Sequence, residues 1–142
     1  MPGKFLIDAT DPRFLITANA GVMEFVRRVN PFAHTDVGSV LLELRDVIAG
    51  AQAYSPSYKD CAYVVLHTEE SRIFAIAYGQ RGLALRLSPS DRAAALADGG
   101  EPAPDVGPDW VSFPPYDAYG QSGAKERLRR WCERGFANAT HD

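Results

Sequence analysis

The stretch that decides the fold runs from residue 61 to residue 87: Cys61-Ala62-Tyr63-Val64-Val65-Leu66, then Thr68-Glu69-Glu70-Ser71, then Arg72-Ile73-Phe74-Ala75-Ile76-Ala77-Tyr78, then Gly79-Gln80-Arg81-Gly82, then Leu83-Ala84-Leu85-Arg86-Leu87. Three apolar runs of strand length alternate with two short polar or glycine-rich turns. Connections this short force antiparallel neighbours, because a parallel crossover needs a dozen or more residues. The segment therefore predicts a three-strand meander over Cys61–Leu66, Arg72–Tyr78 and Leu83–Leu87. Alternation places Phe74, Ile76 and Tyr78 on one face of their strand and Leu83, Leu85 and Leu87 on one face of the next, and the two sets are expected to share the core. The other face would carry Ala75, Ala77, Ala84 and Arg86. Small side chains there would admit a docked helix, or serve as the floor of a ligand site with Arg86 beside it.

Outward from the meander the period becomes helical. Asn19 is placed to cap a helix to about Val29, with Val22, Phe25, Val26 and Val29 on one face; Pro31 interrupts it. Thr35 or Asp36 caps a second, with Val37, Leu41, Leu44 and Ile48 in register and Gly50 at its stop. A loop carrying Ser55-Pro56-Ser57 leads into the first strand. On the far side, Ser88-Pro89-Ser90-Asp91 is a helix start, with a serine cap, proline at the first helical position and an acid in the first turn. That helix is short, stopped by Gly99-Gly100. A proline-rich loop over Glu101–Pro108 follows, then an edge strand over Asp109–Phe113 ended by Pro114-Pro115, then a last helix from near Ser122 to about Phe136. The fold class is α+β: an antiparallel sheet, made of a three-strand meander plus an edge strand, packed with N-terminal helices, a short middle helix and a C-terminal helix. The 142 residues suit a single domain, 1–142, with 1–49 as a helical N-terminal extension.

The pieces Arg72-Ile73-Phe74-Ala75, Leu85-Arg86-Leu87-Ser88-Pro89, Asp109-Trp110-Val111 and Leu128 to Phe136 with Trp131 follow one another in the order of the MmcQ/YjbR-like family, and residues 50–136 resemble that family and the related TfoX N-terminal domain. The resemblance implies an antiparallel α+β fold closed by a C-terminal helix, and a DNA-binding-like role ascribed on grounds of fold. It carries over no catalytic residues. Arg72 stands where the family commonly has lysine, and the N-terminal extension has no counterpart there.

Chemistry is sparse. The formal net charge is −3, which disfavours nucleic acid as the main partner, since phosphate binding rests on clustered Lys and Arg. The apolar triplet Phe5-Leu6-Ile7 is too short for a signal peptide, and no run approaches a membrane span, so the reading is cytoplasmic, with reduced thiols and no membrane role. Cys61 and Cys132 make neither a disulfide framework nor a zinc spacing, and both read as packing residues. His34 near Asp36 is a two-ligand fragment rather than a metal site, and His67 beside Glu69 and Glu70 reads as a solvent-facing turn residue. Gly79-Gln80-Arg81-Gly82 is a hairpin turn, not a phosphate loop. Tyr54, Tyr58, Tyr116 and Tyr119 flank loops and cover the core edge or line a pocket.

The C-terminal helix offers the strongest functional lead. Leu128, Trp131, Cys132 and Phe136 form its buried face, while Arg127, Arg130 and Arg134 form a stripe on another. Arginine forks suit phosphate and carboxylate. The expectation is a non-enzymatic binding or accessory module, with the stripe as its nucleic-acid or protein-partner surface. The alternative is a small-molecule-binding domain or weak enzyme using Arg86, Ala75, Ala77 and Ala84. No cofactor and no metal is implied.

Overall fold

In the computed structural model, the described residues are 12–29, 31–33, 35–55, 62–79, 82–113 and 124–141. Two short 3-10 turns, Pro12–Phe14 and Thr17–Asn19, precede α1 (Ala20–Val29), α2 (Thr35–Val47), β1 (Gln52–Tyr54), β2 (Val64–His67), β3 (Ile73–Tyr78), β4 (Gly82–Arg86), α3 (Pro89–Ala97), β5 (Glu101–Pro102), β6 (Trp110–Ser112) and α4 (Ala124–His141). The strands form a six-stranded sheet in the order β1-β2-β3-β4-β6-β5, and every neighbouring pair is antiparallel. The α+β class and the meander stand as expected. The sheet is wider than the sequence indicated: β1 lies in the segment read as a loop, and β5 in the proline-rich loop. The strand expected at the edge, β6, is therefore interior, and β1 and β5 are the edges.

Helices cover both faces of the sheet. On one, α2 and α4 bury Val37, Leu41, Leu44, Leu128, Trp131 and Cys132 against Leu66, Phe74, Ala75, Ala77, Leu83, Leu85 and Val111. On the other, Phe14 and α1 residues Val22, Met23, Phe25 and Val26 pack on Val65, Ile73, Ile76, Ala84, Val106 and Trp110. The N-terminal extension thus supplies a helix to each face. Double coverage explains why β2 and β3 read as continuous apolar runs rather than as alternation.

Double coverage also corrects the expected faces. Residues opposite one another across a ladder share a face. Ala75 pairs with Leu85 and Ala77 with Leu83, while Ile76 pairs with Ala84. The large leucines of β4 therefore sit with the alanines of β3 under α2 and α4, and Ile76 sits with Ala84 under α1. The offset of one residue between the two strands decides this, and a one-residue slip exchanges all the faces. A bulge adds to it: the register shifts between Leu66 and His67, from Leu66↔Ala75 to His67↔Ile73, so Phe74 and Ala75 both fall in the α2/α4 cluster.

Asn19 is a further correction. It does not spend its side chain on capping α1. It is fully buried; its Nδ2 donates to the Phe14 carbonyl (3.1 Å) and the Ser71 carbonyl (2.7 Å), and its Oδ1 accepts from the Ile73 amide (2.9 Å). One amide thereby joins the N-terminal turns to the β2–β3 turn, where Ser71 holds a left-handed φ of 68°. At the end of α2, Gly50 has φ 92°, and a Cβ there would come within 3.0 Å of Phe136 Cζ on α4. That stop needs glycine twice over, for conformation and for space.

Candidate functional site

The end of β4 meets the start of α3 and the C-terminal part of α4 around a cavity of about 330 Å3. It is lined by Phe74, Leu87, Gly135 and Ala139 and by the polar residues Ser88, Asp109 and Asn138, with Arg86 and Pro89 completing the lining. Each element has a local reason to end there. Leu87 continues β4 by donating its amide to the Asp109 carbonyl (3.0 Å). Ser88 turns the chain into α3, its hydroxyl accepting the Asp91 amide at 3.4 Å, with Pro89 pre-set at the first helical position. Gly135 lets α4 approach β4 closely: a Cβ there would lie 3.2 Å from the Arg86 carbonyl oxygen.

Arg86 sits on the face opposite Ala75 and Ala77. It pairs with Trp110, which belongs to the α1-side cluster, so its side chain leaves the sheet on the face opposite Leu87. Its contribution to the cavity comes from the chain end of β4. Ala75, Ala77 and Ala84 are each 0% exposed and divide between the two cores, so they do not form one floor open to a ligand. The expected Ala-lined face is replaced by a cavity one strand end away.

The arginine stripe lies beside this cavity and is engaged within the molecule. Arg134 contacts the Asp91 carboxylate at 2.9 Å, and Asn138 donates to the same oxygen at 3.0 Å. Arg130 meets Asp98 at 3.0 Å, and the Trp131 indole N–H donates to that oxygen at 2.8 Å. Arg127 lies along the same seam, its guanidinium within 3.4 Å of the place a Gly99 Cβ would occupy. Burial pushes the Asp91 carboxyl up, but the Asn138 amide, Arg134 and the Ser88 hydroxyl together hold it below its ordinary value. Asp98 is held low mainly by the Trp131 indole, against slight burial, with help from Arg130 and Arg127. The stripe faces Asp91 in α3 and Asp98 at its C-terminal cap, so its charge is largely compensated. Asp91 and Asp98 stand seven residues apart, whereas the residues they meet, Arg134 and Arg130, stand four apart. The unequal spacing left no periodic signal of this pairing in the sequence.

Other candidates fall elsewhere. His67 is a buried residue of β2, not a turn residue: its Nδ1 lies 2.8 Å from the Thr68 carbonyl oxygen, and its ring meets Phe14 edge-on at 5.0 Å. The strand runs one residue longer than its apolar run suggested, because an aromatic partner covers the imidazole. Cys132 is a free, buried thiol, and burial, with Glu133 nearby, pushes it up to about 12; such a thiol is inert at neutral pH. Tyr54 is on β1 with its ring 5.0 Å from that of Phe14. Cys61, His34, Tyr58, Tyr116 and Tyr119 lie outside the described residues. Among the described residues no three His, Cys, Asp or Glu side chains come together as a metal site, and no helix is long and apolar enough to cross a membrane.

Comparison with protein-family models, with curated proteins and with solved structures finds no match.

Proposed function

We propose that this protein is a non-enzymatic module that binds a small polar molecule in the cavity between β4, α3 and α4, and that it is of the MmcQ/YjbR-like kind. The observation that carries this reading is the cavity itself: about 330 Å3, lined by apolar Phe74, Leu87 and Ala139 together with polar Ser88, Asp109 and Asn138. An apolar lining with a few convergent polar groups is the usual form of a ligand site, and this volume is near the small end of their range of roughly 300–1,000 Å3. It suits a compact metabolite with one apolar side and one hydrogen-bonding side.

The rival surface is the arginine stripe. Its pairing with Asp91 and Asp98 removes much of the positive field that duplex binding needs, on a chain already at −3. The test is a thermal-shift screen against amines, amino acids, small carboxylates and sugars, run beside labelled duplex DNA in fluorescence anisotropy. A ligand that prefers the folded state raises its melting temperature. The expected result is a hit whose shift disappears in Ala139→Phe, which fills the cavity, and persists in the Arg127→Ala, Arg130→Ala, Arg134→Ala triple variant. Duplex binding at low salt that is lost in the triple variant, with no metabolite hit, overturns the proposal in favour of the stripe.

A further inference from the structure

Helix α3 is held on the body differently from the other three α-helices. Those bury several large side chains each; α3 buries Ala95 alone, while Ala93, Ala94, Leu96 and Ala97 are exposed. The rest of its attachment is polar. Asp91 and Asp98 reach α4 through Arg134, Asn138, Arg130 and Trp131, and Arg92 reaches the Pro108 carbonyl and Asp109. The helix ends on Gly99 at φ 102°, followed by Gly100, whose amide returns to the Ala95 carbonyl at 2.9 Å. Its cap Ser88 and first residue Pro89 line the cavity, as does Asn138, which donates to Asp91.

We infer that α3 is a flap at the edge of this cavity, a helix that detaches as a unit between the fixed end of β4 at Leu87 and the Gly99-Gly100 turn, and is latched shut by Asp91 and Asp98 against α4. A helix with one buried apolar residue has little hydrophobic free energy holding it down, and elements of that kind open well below the global unfolding free energy. The arginines of the ion pairs that hold it are more than half exposed, and such pairs are individually weak, so the latch can be released without unfolding the sheet. Opening would release Asn138 from Asp91 and move Pro89 outward, widening the mouth. The role of the flap rests on the cavity reading; its opening does not.

The experiment is native-state hydrogen exchange followed by mass spectrometry on the full chain, for wild type and for two double variants. One variant cuts the latch on α3 (Asp91→Asn with Asp98→Asn), the other on α4 (Arg130→Gln with Arg134→Gln); Arg130 and Arg134 are more than half exposed, so their loss leaves the core intact. The expected result is that peptides covering 89–97 exchange well before β3 and the buried half of α4 in wild type. Both variants then speed that exchange by roughly tenfold, as two modest pairs would, and leave α1 unchanged. Exchange of 89–97 as slow as that of β3, or equal acceleration of all elements in the variants, overturns the flap. A failed ligand screen with this exchange pattern intact would remove the cavity reading and leave the flap standing.

Discussion

The two faces of the sheet are closed by different means. Under α2 and α4 the packing is aliphatic and aromatic, from Val37 and Leu41 through Phe74, Leu85 and Phe113 to Leu128 and Cys132. Under α1 the helix is ten residues long, and the two 3-10 turns complete the cover. There the buried set includes Asn19 and His67. A face built from two amphipathic helices depends on shape and area. A face closed by turns must also satisfy the backbone groups it buries, because an unpaired buried amide or carbonyl costs as much as a lost hydrogen bond. The difference shows where each face breaks.

The largest effect is expected on the aliphatic face. Phe74 is fully buried and meets Phe136 edge-on at 5.5 Å, so Phe74→Ala should cost about 3–5 kcal/mol in urea-unfolding stability. A loss under about 1 kcal/mol would mean the helices collapse freely onto the sheet and the face is not tightly packed.

On the polar face the single residue to remove is Asn19. Asn19→Ala strands the Ile73 amide and withdraws a donor from two carbonyls. About 2–3 kcal/mol should be lost, more than a buried Asn→Ala change would cost through packing alone. Exchange of the Ile73 amide should accelerate beyond that of Leu85. If the two amides respond equally, Asn19 is a packing residue and the contrast between the faces fails.

Gly50→Ala tests how closely α2 and α4 abut. The new Cβ meets the Phe136 ring at 3.0 Å on a backbone at φ 92°, so about 1–2 kcal/mol should be lost. The ring end can yield a little, which keeps the effect below that of Phe74→Ala.

The ties between α3 and α4 should show the smallest effect, and it depends on pH. Both carboxyls are held below their ordinary value of 3.8, so the stabilisation is complete above that value and is lost as pH falls through the folded values. Wild type and Asp91→Asn with Asp98→Asn should differ by about 1 kcal/mol or less at pH 7 and converge as pH falls through the folded values, below 3.8. A difference that persists at pH 2 would show that the carboxylates act through packing.

Most of the fold was legible because it is written in periodicity. The helix faces of α2 and α4, the Ser88-Pro89 start and the meander each follow from apolar spacing and turn chemistry within a short window. The candidate site was legible only in pieces. Arg127, Arg130 and Arg134 were visible as a stripe, and Arg86 was visible beside the right strand end. Ser88, Asp109 and Asn138 come from three separate segments, and nothing local marks them as a set.

By itself, then, the sequence determined the α+β class, the order of the principal elements, the interior faces of α2 and α4, and a charge balance unfavourable to phosphate. Those properties depend on neighbours within a few residues along the chain. Only the tertiary structure decided that both sheet faces are covered, that Leu83 and Leu85 lie with Ala75 and Ala77, that Asn19 serves a turn 52 residues away, and that the arginine stripe closes on the carboxylates of Asp91 and Asp98. Register, bulges and long-range hydrogen bonds are set by which surfaces finally meet, and a one-residue shift in any of them leaves the local pattern of the chain unchanged.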